Sequence, residues 1–314
     1  MLAHQEYEEH VTFMKAVQLH EYGDPEKLKY EEIPTPEPKP GEVLVRVIAT
    51  SINPVDWKIR SGAAKDRMPV QCPYIPGRDV SGEVVKTGAG VSSLEPGQRV
   101  MGLVQHSYAE FLVAPADNLT IIPEGLDLEL AGALPLVLTT GAQLVEHIHP
   151  KAGQTVLVTG ALGSVGRTAV FVVKQSGARV IAGVRGSQKA DAGALGADQV
   201  VAIDDDGEIQ SLPQLDAIAD TVDHDVIGKL IPKIKEGGIL GSVLGKPKEA
   251  EGKKIYVEAF MAQPDADRLE QLARAIQRKE FSIPLAKKFT LSEAGAAQKL
   301  AESGGVNGKI LLLP

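Results

Sequence analysis

The residues best suited to chemistry lie in one stretch, Thr155-Val-Leu-Val-Thr-Gly160-Ala-Leu-Gly163-Ser164-Val165-Gly166-Arg-Thr-Ala-Val170. An apolar run enters Gly160-x-x-Gly163-x-x-Gly166, and an apolar, helix-forming run leaves it. The spacing differs from G-x-G-x-x-G, so each glycine needs its own reason. Gly160 permits a sharp exit from a strand, Gly163 lets backbone approach a phosphate, and Gly166 removes a Cβ where a helix must pack closely. Amides around Ser164 and Val165 then face the ligand, and the helix N-terminus favours its negative charge. This is chemistry for a dinucleotide pyrophosphate; the bland alternative is an ordinary tight turn between strand and helix. An NAD site carries an acidic side chain about 20 residues farther on, for the ribose 2′-hydroxyl. Here no acid occurs between Glu146 and Asp191. Arg185, Ser187 and Lys189 stand there instead, offering a planar guanidinium, a hydroxyl and a point charge to a 2′-phosphate. The expectation is NADPH rather than NADH, the alternative being that the trio is a solvated loop edge.

Such a loop has to be held by a parallel sheet. Strands Thr155–Thr159, Arg179–Val184, Gln199–Ile203, Leu215–Thr221, Gly238–Val243 and Ile255–Phe260 are expected. Helices over Ser164–Gln175, Lys189–Leu195 and Ile227–Ile234 fall between them, which predicts a doubly wound α/β unit. Upstream, Met14 to about Ala114 reads as short strands punctuated by turns: Lys15–Leu19, Glu42–Ala49, Ser81–Lys86, Arg99–Val104 and Tyr108–Val113. That pattern suggests a compact β-rich barrel. Helices are expected over Leu128–Leu138 and from Thr140 to Ile148. The tail reads as an amphipathic helix through Lys279, strand Pro284–Phe289, helix Ser292–Ser303 and strand Lys309–Leu313. Ser292 followed by Gly295 makes no full capping box.

Composition narrows the class. Among 314 residues, 33 basic against 41 acidic side chains give a formal charge of −8, which argues against nucleic acid as the main partner. The one cysteine, Cys72, excludes an intramolecular disulfide and any multi-thiolate metal centre. No apolar stretch approaches the roughly 20 residues that span a bilayer. Residues 1–13 are polar and acidic without an apolar segment, so they read as an N-terminal extension rather than a signal peptide. The expected location is cytoplasmic. His147 and His149 are two residues apart, so on a helix their rings diverge and no metal pair is expected.

Several further segments read together: Ser51-Ile-Asn53-Pro-Val-Asp56-Trp57-Lys-Ile-Arg60-Ser-Gly62, Pro76-Gly77-Arg78-Asp79-Val-Ser-Gly82, Pro96-Gly97-Gln-Arg-Val100 and Ser107-Tyr108-Ala-Glu-Phe111. With the glycine loop they resemble the medium-chain dehydrogenase/reductase superfamily, and more narrowly its zinc-free quinone oxidoreductase branch of the zeta-crystallin type. The likeness runs from about Met14 to Pro314. It implies an extension over 1–13, a GroES-like catalytic domain over 14–138, a Rossmann NADPH-binding domain over 139–264, and a return to the catalytic domain over 265–314. It also implies NADPH in the cleft between the domains and, by analogy, a homodimer through an edge strand of the Rossmann sheet.

In the zinc-dependent alcohol dehydrogenase branch a cysteine stands where Asn53 stands and a histidine where Arg78 stands. A neutral amide is a poor zinc ligand and a guanidinium adds fixed positive charge, so no metal is expected. The resemblance places Asn53 near the nicotinamide or the acceptor oxygen; fastening the Pro54 turn is the alternative. Thr140 matches a threonine that touches the cofactor, with helix capping as the alternative. Ser242 and Gly245, at the end of the fifth strand, and Asn307 are further cofactor candidates. Trp57 and Tyr108 are candidates for the acceptor cleft, or else packing. Asp56 and Asp79 match family positions and read as structural. The implied reaction is hydride transfer from NADPH to a small electrophile, a quinone first. Reduction of an activated C=C bond in an enone or alkenal is the alternative. A non-catalytic NADPH-binding sensor or structural protein is the alternative from another class.

Overall fold

The structure, a computed structural model, describes residues 12–222 and 224–314. Most of the expected extension over 1–13 therefore lies outside the described residues. An antiparallel hairpin, β1 (Phe13–Leu19) with β2 (Leu28–Pro34), opens the fold. The β-rich unit follows: β3 (Glu42–Ser51), α1 (Pro54–Arg60), β4 (Asp79–Thr87), β5 (Arg99–Leu103), β6 (Phe111–Pro115) and β7 (Leu119–Ile121). In β3 the inward Val43, Val45 and Val47 meet Val80, Val84, Val100 and Leu112 in one apolar core, the period-2 pattern of a half-buried strand.

Two helices lead out, α2 (Leu128–Ala131) and α3 (Pro135–Ile148). The helix expected over Leu128–Leu138 is broken at Gly132, where a Cβ would lie 2.6 Å from the Ala49 carbonyl oxygen. The second helix then begins at Pro135 and not at Thr140, and runs unbroken past residues 138 and 139. Its N-terminus has no side-chain cap of its own. The Leu136 amide donates instead to Asp79 Oδ1 at 2.6 Å, so a residue of β4 fixes where α3 starts.

The second unit contains β8 (Thr155–Thr159), α4 (Ser164–Gln175), β9 (Arg179–Val184), α5 (Lys189–Ala192) and β10 (Gln199–Ala202). It continues with α6 (Asp206–Ser211), β11 (Leu215–Asp220), α7 (His224–Leu230), β12 (Ile234–Ser242) and β13 (Tyr256–Ala259). The six strands pair in parallel in the order β10-β9-β8-β11-β12-β13. The order reverses between β8 and β11, and it is outside the carboxyl ends of strands at such a switch that doubly wound sheets bind ligands. One apolar cluster lies under α3 and α4, a second under α6 and α7 on the opposite face.

The tail is shared between the units. In α8 (Ala266–Gln277), Leu269, Leu272, Ala273 and Ile276 repeat at helical spacing and bury into the core under α3 and α4; each large side chain contributes about 1.5–3 kcal/mol of burial. Asp265 caps the helix by accepting from the Arg268 amide at 2.9 Å. The chain then re-enters the first sheet through β14 (Leu285–Thr290), α9 (Ala294–Glu302) and β15 (Lys309–Leu313), with β15 antiparallel to β3. Ser292 makes no capping box, as the sequence indicated; two residues earlier the Thr290 amide donates to Glu293 ahead of α9. Arg60 locks this return: buried at the end of α1, it donates to Gln298 at 2.8 Å, to the Gly23 carbonyl at 2.7 Å and to Glu302 at 2.5 Å.

Candidate active site

The glycine loop occupies the turn from β8 to α4. Gly160 has φ +58°, and a Cβ there would lie 2.5 Å from Thr221 Oγ1; only glycine fits. A Cβ on Gly166 would lie 2.2 Å from the Gly160 carbonyl oxygen, so α4 packs directly onto the turn. Gly163 is the N-cap and supplies no side-chain acceptor. The first amides of the 12-residue α4, from Ser164 onward, therefore have no side-chain cap among the described residues, which suits an oxyanion at the sheet's switch point. These residues fit a dinucleotide pyrophosphate.

Beneath the turn the strand ends are stitched by a buried carboxylate. Asp220 accepts from Thr159 Oγ1 and from Ser242 Oγ, each at 2.9 Å. Thr221 closes the set, its amide donating to Thr159 Oγ1 and its hydroxyl to the Thr159 carbonyl. Ser242 is fully buried in this network and also accepts from the Leu244 amide. It fixes the exit of β12, which places Gly245 at the edge with φ +112°. A guanidinium nitrogen of Arg67, from the first unit, comes within 3.6 Å of where a Cβ on Gly245 would stand.

At the end of β9 the expected trio is divided. Arg185 is exposed, and its guanidinium has no hydrogen-bond or ion-pair partner among the described residues; Ser187 is exposed beside it. Lys189 is paired with Glu208 at 2.7 Å. Glu208 is anchored in turn by the Ala202 amide, and Asp204 accepts from the Gly186 amide at 2.8 Å. The acids that the sequence lacks just after the glycine turn are thus supplied by the exit of the neighbouring strand, β10.

The first unit contributes a buried polar cluster built from β3, α1, β4 and β15. Asn53 is 1% exposed and both ends of its amide are engaged. Its Nδ2 donates to Asp79 Oδ2 at 2.7 Å and its Oδ1 accepts from Lys309 Nζ at 2.5 Å. Ser51 also donates to Asp79, and Lys309 donates to the Ile52 carbonyl at 3.1 Å while lying 3.5 Å from Asp79. Asp56 Oδ2 accepts from the Asn53 amide and from the Tyr108 hydroxyl, whereas its Oδ1 is buried without a partner among the described residues. Burial, with Asp79 nearby, pushes the Asp56 carboxyl up to about 7. Burial also lowers Lys309, against the pull of Asp79 and Asp56, and together with Asp56 it holds the Tyr108 hydroxyl well above its usual range.

This arrangement revises the roles expected in the first unit. The Asn53 amide is turned into the cluster, and as N-cap of α1 its own N–H is answered by Asp56, which is nearer to the fastening alternative. Tyr108 is fully buried and bonded to Asp56, so it is core and not the wall of an open cleft. Trp57 is half-buried against the cluster that contains Ile52, Tyr108 and Leu312. Thr140 lies in the second turn of α3, partly exposed, which removes the capping alternative. Asn307 is exposed two residues before Lys309. His147 stacks on Phe260 with ring centroids 4.4 Å apart. Lys309, Asp220 and Asp204 were not picked out from the sequence; a charge opening the run Lys309-Ile-Leu-Leu-Leu313 and an acid ending Leu215-Asp-Ala-Ile-Ala-Asp220 were the available signals.

The alcohol dehydrogenase GroES-like domain family matches residues 39–124, and the zinc-binding dehydrogenase family matches residues 195–312. The chain is 30% identical over 325 residues to the chloroplast envelope quinone oxidoreductase homolog of Arabidopsis thaliana, covering 96% of this chain and 98% of that protein. It is 30% identical over 318 residues to the chloroplastic NADPH-dependent alkenal/one oxidoreductase of the same plant, covering 96% of this chain and 80% of that one. The solved structure of the quinone oxidoreductase from Coxiella burnetii superposes with a TM-score of 0.88 at 31% identity, covering 96% of this chain and all of that one.

Proposed function

The chain belongs to the medium-chain dehydrogenase/reductase superfamily, within its quinone oxidoreductase branch, and from that membership we propose that it reduces quinones with NADPH and without zinc. It is an oxidoreductase, so the non-catalytic reading is set aside. The observation that carries the coenzyme assignment is the glycine cradle under the uncapped N-terminus of α4, at the sheet's switch point. The pyrophosphate is held by the amides from Ser164 onward, and a 2′-phosphate by the unpartnered Arg185 with Ser187. When bound, the reduced nicotinamide supplies a hydride. Asp220, through Thr159 and Ser242, holds the ends of β8, β11 and β12 in register at that edge.

The donors support the reading of zinc independence. A cation beside Asn53 would meet the Lys309 ammonium already on its Oδ1, and Arg78 donates Nε–H to the Val104 carbonyl at 3.1 Å. In this reading Asn53 is a positioning residue that fixes the 51–56 segment. Cytoplasmic location is part of the same reading; among the described residues no helix is long and apolar enough to cross a membrane. So is a homodimer through the edge strand β13, where Tyr256 and, just beyond it, Met261 are exposed.

Reduction of the C=C bond of an alkenal or enone is the second reading, supported by the similarity to the alkenal/one oxidoreductase. Side-by-side turnover of a quinone and an alkenal, followed by loss of reduced-nicotinamide absorbance, decides between them. Arg185→Asp is expected to abolish any preference for NADPH over NADH; unchanged selectivity would remove Arg185 from the account.

A further inference from the structure

The 2′-phosphate region holds more negative charge than the sequence around Arg185 indicates. Strand β10 runs beside β9, and its exit delivers Asp204 and Glu208 to the turn that follows Val184. Asp204 Oδ1 is used on the Gly186 amide, whereas its second oxygen has no partner among the described residues. Glu208 pairs with Lys189 and so removes one of the two cations from service. Among the described residues the turn keeps an unpartnered guanidinium, that of Arg185, and an unpartnered carboxylate oxygen, that of Asp204.

A ribose 2′-hydroxyl can donate to such an oxygen, as it does to the acid of an NAD site. A phosphate monoester, with about −1.5 to −2 charge at neutral pH, is repelled by it. The two residues therefore act in opposite senses on the same substituent. We infer that Asp204 is a coenzyme-selectivity residue that opposes Arg185, so that the preference for NADPH over NADH is weaker than Arg185 alone would give. This rests on the reading of the cleft as a nicotinamide-dinucleotide site and adds to it a residue from the strand after the usual one.

The test is calorimetric binding by the coenzyme-free protein, with NADPH, NADH and the fragments adenosine 2′,5′-bisphosphate and 5′-AMP as probes. Asp204→Asn keeps an acceptor for the Gly186 amide and removes the charge. It should raise the preference for NADPH over NADH, and for the bisphosphate over 5′-AMP, by roughly tenfold. Glu208→Gln frees Lys189 and should move both ratios the same way, by roughly threefold. Because Asp204 is exposed, the effect should shrink as salt is raised. A ratio that Asp204→Asn leaves unmoved, with both affinities changed by one factor, reduces Asp204 to a loop anchor and overturns the inference while the coenzyme assignment stands. Wild-type protein that binds none of the four probes overturns both.

Discussion

Replacing Asp56 by asparagine is expected to flatten the dependence of stability on pH. The carboxyl is 1% exposed, accepts two hydrogen bonds among the described residues, both on Oδ2, and lies near Asp79, Lys309 and the hydroxyls of Tyr108 and Tyr74. Its value moves from 3.8 to about 7 on folding, since burial penalises the charged form more than the Asn53 and Tyr108 bonds favour it. For an acid raised in this way, the folded chain keeps a proton that the unfolded chain has lost. The associated stability is complete below about pH 4 and disappears as the pH rises to about 7. At 1.36 kcal/mol per unit the full amount is about 4 kcal/mol, of which about 3 kcal/mol falls between about pH 5 and about pH 8. Asparagine keeps an acceptor for the Asn53 amide and the Tyr108 hydroxyl without titrating. Urea unfolding of both proteins across that range, followed by circular dichroism, should show the difference between wild type and variant shifting by that amount, in favour of the variant at higher pH. Parallel profiles would refute the reasoning, because other carboxylates titrate equally in both proteins.

Lys309→Met leaves the buried Asp79 carboxylate without its counter-charge and should destabilise the fold by about 3–5 kcal/mol, read as a lowered urea midpoint. Adding Asp79→Asn should restore much of that loss. Gly166→Ala forces a Cβ onto the Gly160 carbonyl oxygen and should weaken NADPH binding by more than about tenfold in a direct titration. Gly160→Ala should destabilise by at least about 1 kcal/mol, through its positive φ and the contact with Thr221, and should likewise weaken coenzyme binding.

The start of the Rossmann unit was legible to the residue: the strands at Thr155–Thr159 and Arg179–Val184 and the helix at Ser164–Gln175 have the expected bounds. Their apolar runs are bounded by glycine turns, and the hydrophobic period changes from strand to helix within a few residues. Farther on, α6 was not expected, the helix expected over Ile227–Ile234 lies at His224–Leu230, and the strand expected over Gly238–Val243 begins at Ile234. The first unit was less legible. In α1 a proline reads as a breaker when it in fact occupies the first helical position, and β2 exposes much of its length and so carries little pattern. The break between α2 and α3 comes from contact with β3, which no local window contains. The candidate site divides in the same way. The glycine turn is local and was read; Asp204, Asp220 and Lys309 reach the site from other strands, and adjacency across a sheet leaves no mark in sequence order.

The measurement that bears most directly on the central claim is the loss of reduced-nicotinamide absorbance when a quinone is added to the protein with NADPH, after exhaustive dialysis against a chelator. Turnover that depends on the quinone and survives removal of metal is the expected result. No quinone-dependent oxidation of the coenzyme, or activity that returns only when zinc is restored, would contradict a metal-free cleft around the cradle at Gly160.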